Sequence, residues 1–139
     1  MKKSILTGLA SGIIIVIIII LFTSVAELFF PVPIVPLSDD NIQHTQLVFI
    51  QSSLGLLIGK LLAVIIASLS GGFIISLFKG KRSIAMFIGI LFSLLAAFYT
   101  IMIMKPLWFW LLLISIFLPF ILIGFKAGVT ISHRSNSAK

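Results

Sequence analysis

From Ser4 to Ala26 the chain carries no charged residue, and from Ile13 to Phe22 every side chain is hydrocarbon. A helix rising ~1.5 Å per residue crosses the ~30 Å apolar core of a bilayer in ~20 residues, so one such run is a complete membrane span. Backbone placed in lipid must satisfy its own hydrogen bonds, which leaves helices and closed barrels. Barrel strands alternate apolar and polar positions over ~10 residues, and Ile13–Phe22 does not alternate. A helix remains.

Three further runs follow: about Leu47 to Phe78, broken once by Lys60; Ser83 to Met104; and Pro106 to Phe125 between Lys105 and Lys126. The sequence therefore predicts an all-α, four-helix transmembrane bundle. Its helices cover about 5–30, 47–78, 83–104 and 107–129, with an outer loop at 31–46 and a single membrane domain over 1–139. Composition agrees: 60% of the 139 residues are hydrophobic and 9% charged, against roughly 45–50% and about 25% in soluble domains. Lys2 and Lys3 before an apolar run also resemble the start of a secretory signal peptide, with small residues at Ser24-Val25-Ala26. The run exceeds the ~7–15 residues of such a segment, so a retained helix is expected.

The ten Lys and Arg residues assign the sides. Lys2 and Lys3 precede the first span. Lys79, Lys81 and Arg82 fill the link between the second and third, and Lys126, Arg134 and Lys139 follow or end the fourth. The first link carries Asp39 and Asp40 and no cation; the third carries Lys105 alone. The positive-inside rule then puts both termini and the 79–82 link in the cytoplasm. Membrane edges and anionic headgroups account for the excess cations, so nucleic acid is not an expected partner.

Pro31, Pro33 and Pro36 end the first helix in an extended strap. Ser38, Asp39, Asp40 and Asn41 offer N-caps for a helix starting near Asp40, which should lie partly in the interface before becoming the second span. Helices in lipid associate where small residues let backbones approach. Gly55, Gly59, Ala63, Ala67 and Gly71 recur every fourth position; Ala85, Gly89, Ser93 and Ala97 repeat the device, and Gly8/Gly12 and Gly124/Gly128 add shorter pairs. Such ridges suit contacts within one bundle, with a second copy, or with another membrane protein. Pro119 should kink the fourth helix. Trp108 and Trp110 are expected as interface anchors.

Little in the sequence points to chemistry. Without cysteine, no thiolate site or disulfide can form. His44 and His133 fall on opposite membrane sides, and no acid–His–Ser set assembles. The Gly55–Lys60 segment lacks the spacing and the following Ser/Thr of a phosphate-binding loop. No enzyme activity, cofactor, catalytic residue or metal ligand is expected. Two ionisable residues inside the spans, Glu27 and Lys60, remain as functional candidates. Taking Pro31 and Leu54 as the outer edge places both heads at one depth, so an ion pair between them is predicted.

The Pro106-Leu107-Trp108-Phe109-Trp110 segment, with Lys105 before it and Leu118-Pro119 and Gly124 after it, resembles a family of small bacterial four-helix membrane proteins. Pro31 and Pro33, Asp39 and Asp40, and Gly55 and Gly59 extend the resemblance over most of the chain. It implies a fold and a place in a bacterial inner membrane, and no reaction. Lys105 and Lys60 depart from that family's pattern, which argues against a shared catalytic role for either. Two functions stay open: a non-enzymatic accessory or structural membrane protein, and a small oligomeric transporter or channel using Glu27 and Lys60.

Overall fold

The computed structural model describes residues 2–34, 41–102 and 107–137, which form five helices and no strand. They are α1 (Lys2–Phe29), α2 (Asn41–Gln51), α3 (Leu54–Leu77), α4 (Arg82–Met102) and α5 (Leu107–Ser137). Leu6–Phe29, Leu54–Leu77 and Leu107–Ser132 are long and apolar enough to cross a membrane, and Arg82–Phe98 of α4 is a shorter apolar stretch. Leu28, Phe29, Leu54, Phe87 and Leu94 are each more than 60% exposed. That much uncovered hydrocarbon has no place in water and fits a membrane-embedded protein.

Three boundaries differ from the sequence reading. The expected 47–78 helix is two helices, because the chain breaks at Ser52–Ser53. Ser53 adopts an extended conformation (φ −62°, ψ 149°) and its side chain accepts a hydrogen bond from the Leu56 amide, a helix N-cap. The separate α2 starts at Asn41, in keeping with the helix expected near Asp40, and so occupies the second half of the expected 31–46 loop. At the other end, α5 runs on to Ser137 rather than stopping near 129. It also passes through Pro119 as one continuous helix. Pro36, Asp39, Asp40, Lys105 and Pro106 lie outside the described residues.

The packing order is α1–α3–α5–α4. α3 is central, with 44% of its apolar window buried against 17% for α1. Its small-residue ridge faces α1: the Phe30 ring lies over Gly55, Ala26 sits on Gly59, and Ile15 covers Gly71. Ala63 and Ala67 are fully buried between these contacts. The pairing of low numbers in α1 with high numbers in α3 makes the two antiparallel. Ser11 Oγ donates to the Gly71 carbonyl at 3.0 Å, so the buried hydroxyl is satisfied across the interface.

On its other side α3 meets α5, and here the helices run parallel. A Cβ on Gly72 would strike the Ile121 carbonyl oxygen, one on Gly124 would strike that of Leu69, and one on Gly128 would meet Ser76 Cβ at 2.7 Å. Only glycine lets the two backbones come this close. α4 then packs antiparallel on α5, with Gly89 against Leu118 and Ile121, and Ser93 Oγ donating to the Ile114 carbonyl at 3.1 Å. α4 barely touches α1, which leaves a crevice between them.

The α3–α4 link is a Schellman turn. The Gly80 amide donates to the Ile75 carbonyl at 2.8 Å, and the Lys79 amide to that of Ser76 at 2.9 Å. Lys79 takes the left-handed position (φ 53°), where a side chain costs roughly 1 kcal/mol that glycine avoids. Lys79→Gly should therefore raise stability by up to about 1 kcal/mol in denaturant titration. An unchanged or lowered midpoint would show that the turn is not strained. Gly80 cannot yield its own place, since a Cβ there would meet Ile75 Cγ2 at 2.7 Å and Thr7 Cγ2 at 3.3 Å.

Candidate functional site

The end of the bundle opposite the α3–α4 link holds the two ionisable side chains that the sequence singles out. Ala26 packs on Gly59, and this contact sets the register of their chain neighbours. Lys60 Nζ lies 3.3 Å from Glu27 Oε1, with 18% of the Lys60 side chain and 38% of the Glu27 side chain exposed. Small residues at the crossing bring the backbones together. The long lysine stem then reaches the carboxylate at its own depth.

Lys60 has a second neighbour that the sequence did not identify. Its Nζ stands 5.3 Å from the centroid of the Phe49 ring, a cation–π contact supplied by α2. Phe49 in turn packs on Phe109 (5.6 Å between centroids) and Trp110 (5.3 Å) of α5, and Leu57 and Leu61 of α3 close the cluster. Glu27, Lys60, Phe49 and the Phe109–Trp110 pair thus connect α1, α3, α2 and α5. The break at Ser52–Ser53 makes this geometry available, because it frees α2 to lay Phe49 over the ammonium.

One expected anchor turns out to face inward. Trp108 is 40% exposed, whereas Trp110 is 6% exposed and belongs to the aromatic cluster. Residues two apart on a helix do not share a face, so Trp108 and Trp110 cannot both look outward. The Trp110 indole N–H is buried without a hydrogen-bond partner among the described residues. Such a group lowers the stability of its surroundings.

The arrangement joins an acid, a cation and aromatic faces, without an adjoining nucleophile in any described contact. Among the described residues no group of three or more His, Cys, Asp or Glu could hold a metal ion. Three crevices, between α1 and α4, α4 and α5, and α3 and α5, are lined without Glu27 or Lys60. No family model matches the chain, and neither does any curated protein or solved structure.

Proposed function

We propose that the chain is a non-enzymatic accessory or structural protein of a bacterial cytoplasmic membrane, spanning it four times with both termini inside. The observation that carries this reading is the Glu27–Lys60 contact: two charges that are expensive in a bilayer neutralise each other between α1 and α3. The buried hydroxyl of Ser11 and the half-buried one of Ser93 also bond to neighbouring helices.

α4 serves as the fourth span, because its 21 residues reach about 31 Å at ~1.5 Å each, enough for the ~30 Å core. Orientation follows from the clustering of cations at one end. Gly80 lies against Thr7 of α1, and Arg82 and Lys126 border the same crevice. The positive-inside rule makes that end cytoplasmic. The partners this reading implies are the bilayer and, through the helix faces, another membrane protein or a second copy.

Cysteine labelling tests the topology. In intact cells an impermeant maleimide should modify Ile34→Cys, since Ile34 is 99% exposed, and should spare Ser135→Cys until the cells are opened. Labelling of Ser135→Cys alone in intact cells would invert the arrangement. Labelling of both would remove one span.

A further inference from the structure

The crevice between α1 and α4 has a volume of about 640 Å³. It is walled by Gly12, Ile13 and Ile17 on one side and Ser83, Phe87 and Leu91 on the other. Gly12 differs from the packed glycines, because a Cβ there would meet nothing within 4 Å. The space it leaves belongs to the crevice. Resting on the membrane reading above, we infer that this crevice holds one acyl chain of an anionic phospholipid, with the headgroup under Lys79 and Lys81.

Length and charge select this occupant. The α1 wall begins at Gly8 and ends at Ile17, a depth of roughly 14 Å at ~1.5 Å per residue, or one leaflet of a ~30 Å core. The walls are hydrocarbon apart from Ser83, which stands at the basic end. Gly80 lies against Thr7, and the crevice begins at the next residue, Gly8, so the α3–α4 link stands beside its mouth. Lys79 and Lys81, both exposed, flank Gly80 there. A cationic mouth over an apolar slot matches an anionic headgroup over its tail.

The test is native mass spectrometry of the full chain, purified in mild detergent and titrated with phosphatidylglycerol or phosphatidylcholine of equal chain length. Wild type should retain one phosphatidylglycerol in preference to phosphatidylcholine. Gly12→Leu grows into the slot from a position where a Cβ meets nothing within 4 Å and should lose both lipids while keeping the wild-type melting temperature. Lys79→Gln with Lys81→Gln should keep phosphatidylcholine binding and lose the anionic preference by roughly fivefold per charge removed. Equal binding of the two lipids to wild type would overturn the inference. So would lipid retention unchanged in Gly12→Leu, or a wild-type dimer that Gly12→Leu dissociates. Each of these leaves the membrane reading standing, because that reading is tested by the cysteine labelling above and not by lipid binding.

Discussion

Replacing Gly124 by alanine is expected to destabilise the bundle by about 1–3 kcal/mol, the range for forcing extra atoms into a closed interface. The new methyl would overlap the Leu69 carbonyl group, and its nearest neighbours are all backbone, with Leu69 Cα 2.9 Å away. Backbone cannot rotate aside as a side chain does, so α3 and α5 must separate. Gly72 faces α5 from the other side of the same contact, with Phe125 N at 2.8 Å from its would-be Cβ. The control is Gly12→Ala, which should be neutral or gain up to about 1 kcal/mol from helix propensity. Denaturant titration in mild detergent reads both. Equal midpoints for the two variants would mean that α3 and α5 are not in close backbone contact.

The second large effect concerns the charged pair. Glu27→Gln leaves the Lys60 ammonium beside Phe49 without its counter-charge, and Lys60→Met leaves the carboxylate alone. Removing one partner strands the other, whereas removing both strands nothing. Each single variant should therefore lose more stability than the double variant, with a coupling of about 0.5–3 kcal/mol. The exposure of Glu27, 38% of its side chain, favours the lower half of that range, because solvent or headgroups relieve part of the loss. Additive single effects would place Lys60 and Glu27 in separate environments.

Particular residues show what could be read from the sequence and what could not. Helical structure was legible because uncharged runs such as Ser4–Ala26 admit no other backbone in lipid. The common depth of Glu27 and Lys60 was legible by counting rises from Pro31 and Leu54, and the heads lie 3.3 Å apart. The α2–α3 break was not, since Ser52 and Ser53 sit between apolar segments and look like two more small packing residues. Nor was the tightest contact. Counting by fours from Gly55 ends on Gly71, which meets α1, and passes over the adjacent Gly72, which meets α5. Periodicity defines the faces of a helix but not which helix covers each face, so the parallel α3–α5 pair emerges only from the structure. The inward turn of Trp110 has the same origin. Its composition fits an outer aromatic belt, and its neighbours Phe49 and Phe109 decide otherwise.

In the structural role proposed above, Glu27 and Lys60 hold helices together and move nothing across the membrane. Ion and solute flux into sealed liposomes containing the purified chain tests it most directly, with protons and a quaternary ammonium as probes. The account predicts flux equal to that of protein-free liposomes, for wild type and for the Glu27→Gln, Lys60→Met double variant alike. Flux above that background, carried by wild type and abolished by Glu27→Gln, would contradict it.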